Sequence, residues 1–468
     1  MLKLFNTESR EKEPFHPIEG RHVKMYTCGP TVYHFAHIGN FRAFLFEDVL
    51  RRTLKYLGYK VTQVMNLTDV DDKTIKGALR ENVTLDEFTK PYKVAFFEDL
   101  KTLNVEPAEY YPQATDFIPQ MIDMIEGLVQ KGIAYQGADK SIYFAIRKFP
   151  RYGCLSHLHL EDLQVGASNR VEADEYDKES ASDFVLWKAY DEERDGKIYW
   201  ESPFGKGRPG WHLECSAMAM NILGSSIDIH CGGIDNMFPH HENEIAQSES
   251  YSGDRFVKYW MHSEHLVVDN KKMSKSLGNF FTLRDLLERG YKGPELRYML
   301  IHTHYKTQLN FTFQGLEAVR SSLDRLRAFI IRLNEAQGPE TESVSSFIVE
   351  TESRFKAALE DDLNISLALA ALFDFVRDVN SLIDQNRVGL NDAKTTLAFL
   401  HRVDSVLGFL PFETNHETIP DDLQEMLSVR MTARSQKNWQ LADQMRDQIQ
   451  ARGYIIEDTP HGARLKKT

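Results

Sequence analysis

The sequence predicts an α/β chain: a parallel sheet split by an insertion, then an α-helical bundle, then a small mixed α/β domain at the C-terminus. Three observations carry that reading. His22 to Cys28 and Lys60 to Thr68 read as strands on either side of a helical pattern, the unit from which parallel sheets are built. Prolines and acidic residues break the pattern between about Pro112 and Trp200, after which strand signals return. From Leu316 to about Gly408 apolar residues recur at helical spacing.

In chain order, Gly29-Pro30 ends the first strand, and Phe41, Phe44, Phe46, Val49, Leu50, Leu54 and Leu57 mark a helix that Gly58 stops. Pro112, Pro119, Pro150 and the acidic stretch from Glu161 to Asp183 mark the insertion. Ser226 to Cys231 and Glu264 to Asp269 read as strands around a helical stretch after Pro239, and are expected to complete the first sheet. Leu323, Leu326, Phe329 and Ile330, then Ile365, Leu369, Leu372, Phe373 and Val376, have bundle-like spacing, with Pro339 between helices. Phe409-Leu-Pro-Phe and Ile419-Pro-Asp-Asp read as a linker, Leu423 to Gln450 as two helices, and Tyr454 to Glu457 as a short strand. The expected division is 1–112 and 201–262 for the halves of the sheet domain, 113–200 for the insertion, 263–314 for the region carrying a lysine loop, 315–408 for the bundle and 409–468 for the C-terminal domain.

At 468 residues the chain is long enough for several domains, and 42% hydrophobic with 27% charged residues excludes a disordered or fibrous class. The most apolar stretch, Leu363 to Val376, contains Asn364, Ser366 and Asp374, so no membrane span or membrane partner is expected. Met1-Leu-Lys-Leu-Phe-Asn-Thr-Glu lacks the pattern of a secretory signal, and the cytoplasm is the expected compartment. Four scattered cysteines, Cys28, Cys154, Cys215 and Cys231, cannot form a disulfide framework, and point instead to thiol or metal chemistry. A net charge of -13 argues against a general nucleic-acid coat. Ser428 to Thr468 nonetheless holds eight Lys or Arg against four Asp or Glu, which leaves room for a local basic patch.

Two motifs carry chemistry. Thr31-Val-Tyr-His-Phe-Ala-His-Ile-Gly-Asn40 joins the first strand to the first helix, where α/β sheets bind ligands. A helix start offers unpaired N–H groups, Gly39 permits close approach, and His34, His37 and Asn40 can donate to phosphate. Read alone, the same residues also fit a helix cap with incidental histidines. Asp269-Asn-Lys-Lys-Met-Ser-Lys-Ser-Leu-Gly places Lys272 and Lys275 on a short loop able to close over a pyrophosphate, or on a solvated basic turn. Together, His-Ile-Gly-Asn and Lys-Met-Ser-Lys-Ser are far more specific than either alone.

The pair resembles the two signatures of the class I aminoacyl-tRNA synthetases. Thr27-Cys28-Gly-Pro-Thr-Val-Tyr33, Asn66-Leu-Thr68-Asp-Val-Asp-Asp72-Lys, Gly210-Trp-His-Leu-Glu-Cys215-Ser-Ala-Met and Phe238-Pro-His240-His-Glu-Asn-Glu244-Ile-Ala-Gln are similar to the cysteine-specific branch of that family. Two departures stand out: Asn40 replaces the signature's last histidine while keeping a donor, and Leu465 stands where a tryptophan is expected. The resemblance implies a Rossmann-type sheet, with 263–314 contacting the tRNA stem. It implies activation of L-cysteine with ATP and magnesium, and transfer to the 3′-terminal adenosine of a cysteine tRNA by a monomer. His34, His37 and Asn40 would then steady the phosphates, with Gly39 beside the ATP, and Lys272 and Lys275 the leaving pyrophosphate.

Cys28, Cys215, His240 and Glu244 form a coherent metal set by residue type alone. Pro239 suits a first helical position, His240 and Glu244 are four apart, and thiolate with imidazole suits zinc, one per chain. The competing reading is two core cysteines and capping histidines. Four protein ligands ordinarily describe a structural zinc, but the resemblance implies that the substrate thiol binds the metal. Serine's hydroxyl is far harder to ionise, so no editing site would be needed. By resemblance, Thr68, Trp211, His230 and Asp235 hold the cysteine, and Arg434, Trp439, Asp443 and Asp458 read the anticodon.

Gly205-Lys-Gly-Arg-Pro-Gly210 matches a dinucleotide fingerprint, but Pro209 disrupts the turn it needs, and it reads as a loop positioning Trp211. Cys154 and Cys231 read as ordinary buried thiols. A ligase joining cysteine to an amino sugar would share both signatures and the metal set but needs no basic tail. A non-catalytic tRNA-binding or structural zinc protein would not need Lys272 and Lys275.

Overall fold

The computed structural model describes residues 1–158, 183–412, 420–459 and 462–467. The chain forms two compact units, Met1–Pro411 and Phe412–Thr468. Most of the acidic stretch from Glu161 to Asp183 lies outside the described residues. Among those described, no helix is long and apolar enough to cross a membrane.

The first unit opens with a hairpin of β1 (Lys3–Asn6) and β2 (Glu11–Pro14). β3 (His22–Thr27), α1 (Ile38–Tyr56) and β4 (Lys60–Met65) follow, with β3 and β4 parallel. Phe46, Leu50 and Leu54 pack α1 against the sheet residues Val23, Met25 and Val61, while Phe44 is buried against Phe96. Then come α2 (Asp72–Glu81), α3 (Leu85–Thr102) and α4 (Ile118–Gln130). The insertion contributes an antiparallel sheet of β5 (Ala134–Gln136), β6 (Ile142–Phe144), β7 (Phe184–Ala189) and β8 (Gly207–Pro209), so it runs past the expected boundary at 200, because β8 pairs with β7 and not with the parallel sheet. The discounted fingerprint is accounted for there: β8 runs straight into α5 (Trp211–Leu223), which Gly210 caps.

The parallel sheet is completed by β9 (Ile227–Gly233), α6 (Glu242–Ser252) and β10 (Val257–Ser263), in the order β10-β9-β3-β4. This corrects one expectation. The segment read as the closing strand is β11 (Leu266–Val268), which pairs instead with β12 (Lys271–Lys272) and β13 (Leu309–Phe311) in a separate small sheet. The strand that closes the parallel sheet is β10, with Trp260 opposite His230 and Met261 opposite Cys231.

Between β12 and β13 lie α7 (Leu283–Glu288) and α8 (Gly293–Ile301). The bundle is α9 (Phe313–Glu335), α10 (Glu342–Glu360), α11 (Ile365–Asp384) and α12 (Leu390–Leu407). Phe375, not Phe373, faces its core; Phe373 is half-buried beneath Arg325. The bundle is fastened to α1 by a buried arginine. Arg297 donates to the Leu407, Leu103 and Asn104 carbonyls, satisfying the ends of α12 and α3, and pairs with Asp48 at 2.6 Å. A side chain at Gly408 would come within 2.9 Å of that guanidinium.

The second unit holds α13 (Asp421–Ser435), α14 (Trp439–Ala451), and the antiparallel strands β14 (Tyr454–Thr459) and β15 (Gly462–Lys467). β15 was not expected from the sequence, because its Gly-Ala-Arg-Leu-Lys-Lys run lacks an apolar alternation. Leu423, Ile449 and Leu465 form its buried core.

Candidate active site

The first signature is locked by mutual capping. His37 Nδ1 accepts the Asn40 N–H at 3.2 Å, and Asn40 Oδ1 accepts the His37 N–H at 3.1 Å, so α1 begins at Ile38. This fixes the histidine tautomer: Nδ1 is an acceptor, so Nε2 carries the proton. Burial pushes the His37 pKa down to about 4, with Asp235 opposing, so the ring is a neutral donor at physiological pH. The expectation of unpaired N–H groups at the helix start needs correction. Ile38 donates to the Phe281 carbonyl at 3.0 Å and Asn40 to His37, leaving, among the described residues, the Gly39 N–H with His37 Nε2–H and Asn40 Nδ2 as donors. His34 donates from Nδ1 to the Phe35 carbonyl and lies parallel to Tyr92.

The second signature folds back onto the first. After β12, Ser274 donates to Asn279 Oδ1 and Asn279 Nδ2 to the Lys272 carbonyl, closing the loop. Met273 lies over Gly39: a Cβ built there would sit 3.3 Å from the methionine methyl and 3.0 Å from the His37 ring. Phe280 packs edge-on to His37 at 5.2 Å, and Lys275 Nζ lies 5.3 Å from its ring centroid. Lys272 and Lys275 are exposed, and neither makes an ion pair among the described residues.

Cys28 follows the end of β3 beside this loop. Its Sγ lies within 4.8 Å of donor atoms from Cys215, His240 and Glu244. Cys215 is on α5 and Glu244 on α6. The regular helix starts at Glu242, later than Pro239 suggested. Residues 237–241 form a wider turn, with Phe238 extended at φ -136°, ψ 131°. His240 Nε2 still meets Glu244 Oε1 at 3.1 Å.

Of the shell around this cluster the sequence pointed to His230 and Trp211 but missed His212, His241 and His262. His212 Nδ1 lies 2.9 Å from His240 Nδ1, His230 Nε2 lies 3.0 Å from Glu244 Oε2, and Trp211 stacks on His240 at 4.1 Å. Cys28 Sγ is 3.3 Å from His241 Nε2, whose Nδ1 is 2.8 Å from His262 Nε2. Cys28, His230, His241 and Glu244 thus form a second overlapping set. The available signal was density, with His212, His230, His240, His241 and His262 all between residues 212 and 262.

The cluster suits a cation. Burial raises the Glu244 carboxyl, hydrogen bonding to Cys215 and then burial raise the Cys28 thiol, and burial lowers His240 and His241. Two thiols and a carboxyl therefore share a dry site with neutral imidazoles and no Lys or Arg among the described residues, so a metal would be the positive charge that ionises them. His212 takes the position of an outer hydrogen-bond partner for a metal-binding imidazole.

The other expected residues are placed as follows. Thr68 is buried and accepts from Asn66 Nδ2 at 3.1 Å; its backbone bridges Thr31. His230 is buried in β9, and Asp235 is exposed just beyond that strand. Trp211 and Thr31 also line a cavity of about 270 Å³ with Asp72, Lys188 and Arg208. In the second unit Trp439 is 59% exposed at the start of α14, Arg434 is exposed on α13, and Asp443 pairs with Arg446 at 3.0 Å. Asp458 is in β14 opposite Ala463, but its side chain lies outside the described residues. Cys231 is fully buried, whereas Cys154 is only half-buried, which corrects its reading as a core thiol.

Residues 14–321 match the family described as tRNA synthetases class I (C) catalytic domain, and residues 354–411 match the DALR domain. The cysteine–tRNA ligase of Protochlamydia amoebophila is 64% identical over 467 residues, covering 100% of this chain and 98% of that protein. That of Chlamydia felis is 58% identical over 470 residues, covering 100% and 98%. The fold also resembles Mycobacterium tuberculosis methionyl-tRNA synthetase in complex with methionyl-adenylate, with a TM-score of 0.62 at 12% identity, covering 84% of this chain and 92% of that one. With both signatures packed together beside a four-donor cluster, and relatives matching from end to end, the chain belongs to the cysteine–tRNA ligase family of class I tRNA synthetases.

Proposed function

We propose that the protein activates L-cysteine with ATP in the cytoplasm and, as a monomer, transfers it to the 3′-terminal adenosine of a cysteine tRNA. The observation that carries this reading is the packing of Met273 over Gly39, which brings the lysine loop against the capped start of α1. The cysteine carboxylate attacks the α-phosphate in line, so no protein nucleophile is needed. His37 Nε2–H and Asn40 Nδ2, with His34, steady the phosphates, and Gly39 lets the nucleotide approach the backbone. Lys272 and Lys275, which make no ion pair among the described residues, neutralise the departing pyrophosphate, whose charge magnesium shares.

Cys28, Cys215, His240 and Glu244 are the residues that would hold a zinc ion. When bound, that ion would supply a soft Lewis acid that favours a substrate thiolate over a hydroxyl. Thr68, Trp211, His230 and Asp235 are assigned to the amino acid. Trp439, Arg434, Asp443 and Asp458 are assigned to the anticodon, since an exposed ring offers a stacking face.

Pyrophosphate exchange that depends on cysteine, and on neither serine nor alanine, tests activation. Charging of a cysteine tRNA in preference to a glucosamine glycoside tests the acceptor. In cobalt-substituted protein, cysteine but not serine should alter the sulfur-to-metal absorption; a spectrum indifferent to cysteine would make the site structural.

A further inference from the structure

The loop between β3 and α1 presents aromatic surface to solvent beyond what its capping and packing use. Tyr33 and Phe35 are each 38% exposed. Around them the rings form one continuous row. Tyr33 lies 6.4 Å from His34, His34 is parallel to Tyr92, Phe35 is edge-on to Tyr92 at 5.4 Å, and Phe280 is edge-on to His34 at 6.2 Å.

Cations sit over the same rings. Lys73 Nζ is 5.1 Å from the Tyr33 centroid, and the Arg284 guanidinium is 5.3 Å from that of Phe35. Lys73 is exposed and makes no ion pair among the described residues, because its neighbour Asp72 is taken by Lys188 and Arg208. Arg284 is held in place by Glu98 at 2.7 Å and Asp99 at 3.2 Å. Half-exposed rings beside positive charge are what a single strand of nucleic acid requires: bases take the ring faces and phosphate takes Lys73, while Arg284, held by two carboxylates, fixes the Phe35 ring. Phe280 packs against both His37 and His34, so the row adjoins His37 and shares His34 with the phosphate donors.

We propose that Tyr33 and Phe35, with Lys73 and Arg284, form a stacking platform for the unpaired 3′ nucleotides of the tRNA, holding the strand end beside the site of transfer. The proposal rests on the tRNA-charging reading. Charging by the unaltered protein is therefore measured first, and failure at that step removes the function rather than the platform alone.

The test uses the full chain, with steady-state charging and cysteine-dependent pyrophosphate exchange followed in parallel. Phe35→Ala and Tyr33→Ala should each raise the KM for tRNA about tenfold. Exchange rates and the KM values for ATP and cysteine should stay unchanged. Phe35→Trp should keep the original tRNA KM, and Phe35→Leu should behave like the alanine variant, because stacking rather than bulk is required. Lys73→Gln, at an exposed position, should lower the salt dependence of tRNA binding by about one phosphate contact. A 2-aminopurine in the unpaired 3′ segment should be quenched by the unaltered protein and less by Phe35→Ala. A raised KM for ATP with unchanged tRNA kinetics would assign the rings to adenine and overturn the proposal. So would a Phe35→Leu variant indistinguishable from the unaltered protein.

Discussion

Cys28, Cys215, His240 and Glu244 are at most 8% exposed and are enclosed by further histidines and Trp211, whereas Lys272 and Lys275 stand in solvent and make no ion pair among the described residues. The donor cluster must be in place before its ligand arrives, since a metal's affinity depends on fixed donors and their hydrogen-bond partners. The lysine loop has the opposite requirement. A cation already paired with a protein carboxylate would have less to offer a leaving pyrophosphate, and an exposed ammonium carries no desolvation cost while it waits. On the proposed reading, selection belongs to the dry side of the molecule and charge neutralisation to the wet side.

The largest expected effect would break the dry side. Cys215→Ser should lose bound metal and cysteine-dependent exchange together, by at least about 100-fold in exchange, while melting stays cooperative because the chain has its own core. Metal content by atomic emission and exchange kinetics on one preparation check this; full activity without metal would dissolve the contrast. Next is the wet side, where Lys275→Ala should slow adenylate formation by roughly 2 to 4 kcal/mol of barrier without moving the melting temperature. Unchanged exchange kinetics would remove the loop from the reaction.

His212→Ala sharpens the comparison, because it spares all four donors yet frees the His240 ring. Metal affinity should fall about 10- to 100-fold, read by chelator competition. In the second unit, Trp439→Ala should weaken charging by on the order of 1 to 3 kcal/mol and leave exchange intact. Removal of 412–468 should do the same more severely; equal charging by full-length and shortened protein would contradict the anticodon assignment. The smallest effect should be Cys154→Ser, with metal content and exchange unchanged. Burial, with Glu242 and Glu8 nearby, pushes the Cys154 thiol up to about 12, so alkylation at pH 8 should also be slow.

The residue types of the site were legible in the sequence because each motif is local. His37 and Asn40 are three apart, His240 and Glu244 four apart, and the lysine loop is one short segment. What escaped was pairing between distant segments. Val257–Ser263 carries Lys258 and His262 among its apolar residues, and Leu266–Val268 reads as the cleaner strand. Periodicity cannot say which sheet a strand joins, so the closing strand was misplaced. The histidine shell escaped for the same reason: His212 and His262 meet His240 and His241 only through α5 and β10. Leu465, conspicuous as a departure from the resemblance, packs with Leu423 and Ile449 and so serves the core of its unit.

The Arg297 junction has a consequence for anyone dividing the chain. One guanidinium terminates α12 and α3 and binds α1 through Asp48, and Asn104 Nδ2 reaches the Gly408 carbonyl at 2.8 Å. The bundle is thus no interchangeable cassette. A cut before Phe313 would take the Leu407 and Gly408 carbonyls away from Arg297 and Asn104 and uncover a guanidinium now fully buried, and a graft that places any side chain at Gly408 would push against it. Recombination between relatives should tolerate a seam after Pro411 and reject one at the apparent edge of the catalytic sheet.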